Sequence, residues 1–194
     1  MISDNEREFV VGHLRRNRER MLASVAGLTA EQREYKPTPD CWSVVDCVEH
    51  IIVVENLIGK RIDLLLTQPP EPEKRADVLG KEETLLRAVP DRSNRVKGPD
   101  IVMPQRRWPE FDELIGEFQA TRDRTIEVAA TSQAELRDHF FHHFVFKDLD
   151  CYQWLLFLAL HCERHVLQIE EVKADPGFPY TTPPLRNTAI SSPE

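Results

Sequence analysis

The stretch from Ser43 to Leu65 constrains the fold most. Val44, Val45, Val48, Ile51, Ile52, Val54, Ile58, Ile62 and Leu65 place apolar side chains around much of a helical circumference. Its many β-branched residues would also suit a strand. The length is too great for an ordinary strand, and Ser43 followed three residues later by Asp46 makes a capping-box-like helix start. A helix that is apolar on most sides has to be covered by other helices.

Three further stretches can supply that cover. The first runs from a cap at Ser3 or Asp4 to about Leu28, with Phe9, Val10, Leu14, Met21, Leu22 and Val25 at helical spacing. Another runs from Trp108 or Phe111 to Ala130 and carries Leu114, Ile115, Phe118 and Ile126. The last runs from about Asp150 to Lys173 and carries Trp154, Leu155, Leu158, Leu160, Val166 and Ile169. No segment alternates convincingly enough to be a strand. The reading is therefore an all-α four-helix bundle over residues 1–173, with a long crossover between its second and third helices. Asp175-Pro176-Gly177 stops the last helix and leaves residues 174–194 as an irregular surface tail.

The crossover begins where Pro69 and Pro70 end the second helix, and it extends to Pro109. It should pack over one end of the bundle, with a short helix over Lys81–Ala88. The second connector, Ala134–Asp150, holds His139, His142 and His143 among Phe140, Phe141, Phe144 and Phe146, so much of it should be buried.

At 194 residues one domain accommodates the chain. The net charge of −8 argues against binding a phosphate backbone, so no nucleic-acid partner is expected. The basic cluster at Arg15, Arg16, Arg18 and Arg20 reads as a solvated helix face. No apolar run approaches the roughly 20 residues of a membrane span, and the polar start is unlike a signal peptide. Cys41, Cys47, Cys151 and Cys162 show no C-x-x-C spacing and read as reduced thiols of a cytoplasmic protein.

Chemistry concentrates in His161-Cys162-Glu163-Arg164-His165. Histidines four residues apart lie one helical turn apart on one face, within reach of a single metal ion. On its own, that spacing more often marks a packed pair. His50, in the second turn of the Ser43-capped helix, is the natural third ligand, because both helices are largely apolar and should face each other. Three imidazoles suit zinc, nickel or iron. Gln168, one turn after His165, can hold a ligand by hydrogen bonding. Cys47 reads as a core filler and Cys162 as pointing away from the site. Glu49 and Glu163, off the ligand face, read as solvent-side charges.

These residues carry a family likeness. Trp42-Ser43 with His50 seven residues after Ser43, then Tyr152-Gln153-Trp154-Leu155-Leu156 leading into His161, Arg164, His165, Gln168 and Ile169, resembles the DinB/YfiT-like superfamily of metal-binding four-helix bundles, from about Glu8 to Lys173. The resemblance implies that His50, His161 and His165 bind a divalent metal, with Arg164 and Gln168 beside them as cofactor-contacting positions. Relatives often carry His-Pro-x-x-Gly before the last helix. Here the stretch reads His143-Phe144-Val145-Phe146-Lys147, without Pro or Gly.

Some members of the superfamily are thiol-dependent transferases or isomerases, and others are regarded as metal-dependent hydrolases. The expectation is a metal-dependent thiol S-transferase that activates a low-molecular-weight thiol against a small electrophilic substrate. The alternatives are a hydrolase of a small amide or ester, or a non-enzymatic metal-binding bundle. A homodimer is expected.

Overall fold

The computed structural model describes residues 1–94 and 96–180. Four long helices dominate it: α1 (Asp4–Val25), α3 (Val44–Leu65), α6 (Phe111–Thr131) and α7 (Cys151–Lys173). Shorter helices are α2 (Ala30–Glu34), α4 (Arg75–Val78) and α5 (Lys81–Ala88), and strands β1 (Phe140–His143) and β2 (Lys147–Asp150) precede α7. No described helix is long and apolar enough to cross a membrane.

Local chemistry sets the helix starts. Ser3, Ser43 and Asp150 cap α1, α3 and α7, each in a reciprocal capping box with Glu6, Asp46 and Gln153 respectively. The first helix ends at Val25 rather than near Leu28, because the chain turns at Gly27 in the left-handed region (φ 71°). Thr29 then caps the separate helix α2.

α1 packs against α6 and α7, and α3 packs against the same two. Cross-contacts give the directions. Arg7 reaches Ala129 and Arg18 reaches Asp123, so α1 and α6 are antiparallel. Asn17 reaches Ala159 and Arg20 reaches Glu163, so α1 and α7 are parallel. His50 meets His161 and Glu55 lies beside the Arg122–Leu158 contact, so α3 and α7 are antiparallel. It follows that α3 and α6 run the same way. A chain leaving α3 must travel back the length of the bundle before α6 can start, and this is why the crossover is long.

That return path first packs over the end where α3 stops and α7 starts, as expected, with Arg75 on Asp138 and the Val78 carbonyl on Gln153; it then runs along the α3–α7 side. α5 packs on α7, Arg164 on α7 holds the carbonyls of Val89, Asp91 and Asn94, and Val102 lies over His50. The crossover thus roofs the face where α3 and α7 bring His50 and His161 together.

The second connector also differs from expectation. β1 and β2 form an antiparallel hairpin, Phe140 opposite Asp150 and His143 opposite Lys147. Four-residue strands are too short for alternation to be legible. The turn closes with Lys147 at φ 62°, a left-handed conformation that usually falls to glycine. The hairpin base is buried, whereas Phe144 and Val145 at its tip are exposed. Beyond α7, Phe178 packs edge-on to Tyr35, and Gln32 donates to the Pro179 carbonyl. The remainder of the expected tail, from residue 181, lies outside the described residues.

Candidate metal centre

α3 and α7 present His50, His161 and His165 to one another. One ring nitrogen from each lies within 4.8 Å of the other two. His161 Nε2 is 3.3 Å from His50 Nε2 and 3.1 Å from His165 Nε2. Among the described residues this is the one cluster of three His, Cys, Asp or Glu side chains that could hold an ion.

The outer nitrogens decide which way the lone pairs face. His50 Nδ1 lies 2.8 Å from the Val102 carbonyl oxygen, which can only accept, so Nδ1 carries the proton. His165 Nδ1 donates to Gln168 Oε1 at 3.0 Å. In both rings Nε2 is therefore a bare lone pair aimed at His161 Nε2. A single N–H on His161 can serve only one of them. Buried, mutually facing lone pairs are unfavourable unless a cation lies between them. The donor set therefore fits a divalent ion that takes imidazole. Burial pushes His50 down to about 4. Burial, then the neighbouring imidazoles, hold His161 and His165 well below the usual histidine range. All three are neutral at physiological pH, as ligands must be.

Aromatic rings enclose the cluster. Trp42 stacks on His165 at 5.7 Å between centroids and leans on His50 at 4.7 Å. Phe157 stacks on His161 at 5.3 Å. His143 from the hairpin also packs edge-on against Phe157, at 4.8 Å between centroids. Val145 N–H and Phe146 N–H both donate to His143 Nδ1, at 3.0 and 3.2 Å.

The other sequence-predicted positions divide. Gln168 Oε1 accepts from His165 and also from Arg92 of the crossover at 3.0 Å. Arg164 donates to crossover carbonyls. Cys47 is buried in the core, where burial raises its thiol pKa far above the usual value. Cys162 donates to the Asn17 carbonyl, and burial pushes it up to about 11. Neither thiol joins the cluster. His13 sits beside Phe9 and Arg16 on α1, His139 lies between the Glu135 and Gln68 carbonyls, and exposed His142 pairs with Asp148.

Glu163 pairs with Arg20 at 2.6 Å on a half-buried face. The reading of Glu49 as a solvent-side charge is overturned. It is 1% exposed, and its carboxylate accepts from the backbone of Gln105, Arg106 and Arg107 and from the Arg107 guanidinium. Helical periodicity did place it off the ligand face. What covers that face is the returning crossover, whose path depends on helix directions.

One turn deeper lies a buried ion pair with no counterpart in the sequence reading. Arg122 Nη2 is 2.8 Å from Glu55 Oε2, with both side chains at most 1% exposed. The signal available was Glu55 inside an apolar stretch; Arg122 stands in the charged run Arg122-Asp123-Arg124 and gave none.

Residues 13–169 match the DinB superfamily. The chain belongs to that superfamily. A relative, the uncharacterized protein YuaE of Bacillus subtilis, is 27% identical over 148 residues, which is 76% of this chain and 86% of YuaE. Among solved structures, YfiT of Bacillus subtilis superposes with a TM-score of 0.63 at 14% identity over 89% of both chains. YfiT is described as "a probable metal-dependent hydrolase with an unusual four-helix bundle topology". At that identity the likeness speaks to the shared fold. In this DinB protein the parallel pairing of α3 with α6 departs from simple up-down order.

Proposed function

We propose that this DinB protein holds one divalent metal ion on His50, His161 and His165 and acts as a metal-dependent thiol S-transferase on small electrophiles. The carrying observation is the convergence of three neutral imidazole Nε2 atoms, two of them bare lone pairs fixed by acceptors on the far side of the ring. An ion held by three neutral imidazoles keeps its full charge and lowers the pKa of a thiol or water bound to it.

The chain's own residues favour the thiol. The rings of Trp42 and Phe157 and the Val102 backbone border the ligands. They exclude water and offer apolar contact to a soft electrophile, but no acid to protonate a departing amine. Displacement by a thiolate needs less proton management. Buried Cys47 and Cys162 are held in the thiol form and lie outside the cluster, which supports an external small thiol as the nucleophile.

The alternative, metal-dependent hydrolysis of a small amide or ester, draws support from the description of YfiT. One experiment separates the two. The metal content of purified wild type is compared with that of a His161→Ala/His165→Ala variant, and the loaded wild type is then offered a chloronitroarene and an aryl ester, each with and without cysteine or a cysteinyl thiol. Product from the arene only when thiol is present supports the transferase. Thiol-independent ester cleavage abolished by chelator supports the hydrolase. Stoichiometric metal retained in the double variant removes the reading.

A further inference from the structure

Glu49 directly precedes His50, yet its side chain leaves the ligand face and enters the crossover. Its Oε1 accepts from Gln105 N–H at 2.8 Å and Arg107 N–H at 3.3 Å, and its Oε2 accepts from Arg106 N–H at 2.9 Å. Pro104, just before these donors, has no N–H to offer. Arg107 Nη1 donates to Glu49 Oε1 at 2.7 Å and to the Met103 carbonyl at 3.0 Å, closing the segment on itself. Arg106 is held at φ 60°. A non-glycine residue keeps that backbone only where its surroundings impose it. The left-handed kink lets consecutive N–H groups converge on one anion, as in a backbone nest.

The same segment carries the acceptor of the metal centre. Val102 is the residue before Met103, and its carbonyl oxygen takes the His50 Nδ1–H at 2.8 Å. A backbone carbonyl on a crossover can hold an imidazole only if the crossover is itself held. Glu49, rooted on α3 one residue from His50, ties the segment to the helix that carries the ligand. We propose that Glu49 is a positioning residue for the metal centre, acting on His50 through the Val102–Arg107 segment. This rests on the three-histidine reading above and adds a determinant outside the ligand set. Glu49 does not touch the ion. It fixes where the Val102 carbonyl stands, and hence the tautomer and ring angle of His50.

Outer partners of ligating histidines typically account for about 10–100-fold in metal affinity. In Glu49→Gln the volume is kept, but an amide NH2 replaces an acceptor facing backbone N–H donors. Zinc affinity of wild type and Glu49→Gln is measured by competition with a chromophoric chelator. The expected result is a dissociation constant raised about 10–100-fold with an unchanged far-UV spectrum. A merely structural role would lower stability and leave the affinity of the folded protein alone, so equal affinities overturn the inference.

A second measurement needs no variant. If the segment favours metal binding, metal must favour the segment by the same factor. Zinc added to wild type should therefore slow hydrogen exchange at the amides of Gln105, Arg106 and Arg107. Exchange indifferent to zinc also overturns the inference. A wild type that takes up no metal defeats the reading of the centre itself, whereas a zinc-binding wild type matched by Glu49→Gln defeats only the role given to Glu49.

Discussion

His50 and His161 lie 111 positions apart in the chain, and their Nε2 atoms lie 3.3 Å apart in the fold. With His165 Nε2 also aimed at His161, three converging imidazole nitrogens favour a cation between them. Ligand linkage makes this measurable: zinc at 100 times its dissociation constant should stabilise the folded state by about 2.7 kcal/mol. Thermal denaturation with and without zinc should show the increment in wild type and lose it in His161→Ala. An equal upward shift in both would place the ion elsewhere.

Gln168 joins the centre to the crossover, since one amide oxygen serves both His165 and Arg92. Gln168→Ala should weaken zinc binding by about 10-fold or more, because His165 loses the acceptor that sets its tautomer. Arg92→Ala, which leaves that acceptor in place, should cost less. Chelator competition on the two variants gives the order, and the reverse order would assign the control to Arg92.

His143 is buried neutral, with its pKa pushed down to about 4 by burial and then by His142. Its unfolded value is the higher one, so the unfolded chain binds more protons between the two values, and stability falls as pH drops from about 6.5 toward 4. At pH 5 the loss from this one group is up to about 2 kcal/mol. His143→Asn, which keeps an acceptor for the Val145 amide, should lose less stability than wild type between pH 7 and pH 5. Urea titrations of the metal-free proteins at the two pH values test this, and parallel losses would count against it.

Arg122 and Glu55 are both buried, and the remaining polar atoms of the pair lack protein hydrogen-bond partners. Removing one partner leaves an uncompensated charge in the core. Arg122→Met alone should cost about 3–5 kcal/mol, whereas Arg122→Met/Glu55→Leu should be near neutral or stabilising. Denaturant midpoints of the two variants decide. A double variant as unstable as the single one would mean that the pair contributes more than its charge balance.

Lys147 adopts φ 62° at the position where relatives often place the glycine of His-Pro-x-x-Gly. A Cβ is disfavoured in that region, so Lys147→Gly should stabilise the hairpin by about 0.5–1 kcal/mol. A lowered melting temperature would show that the lysine side chain contributes more than the backbone loses.

Much of the bundle was legible because its signals are local. Ser43 with Asp46 marked the start of α3 and Asp150 that of α7, since a cap needs only its own next three residues. His161 and His165 were legible because a four-residue step on a helix is one turn. The hairpin was not, because strands of four residues are too short to show a period and Lys147 stands where glycine would have signalled the turn. Glu49 was misread because periodicity reports a side chain's direction from its own helix and says nothing of what arrives there from elsewhere.

The sequence by itself determined the helices, their caps and the apolar faces that hold His50, His161 and His165, because these follow from residue chemistry over one or two turns. Tertiary structure alone decided that α3 and α6 run parallel, that the crossover must therefore return over the histidines, and that Val102, Glu49 and Arg92 meet there. A backbone carbonyl has no signature in sequence. Its value as an acceptor depends on where a long connection happens to be held, and in this protein that follows from how the helices pack.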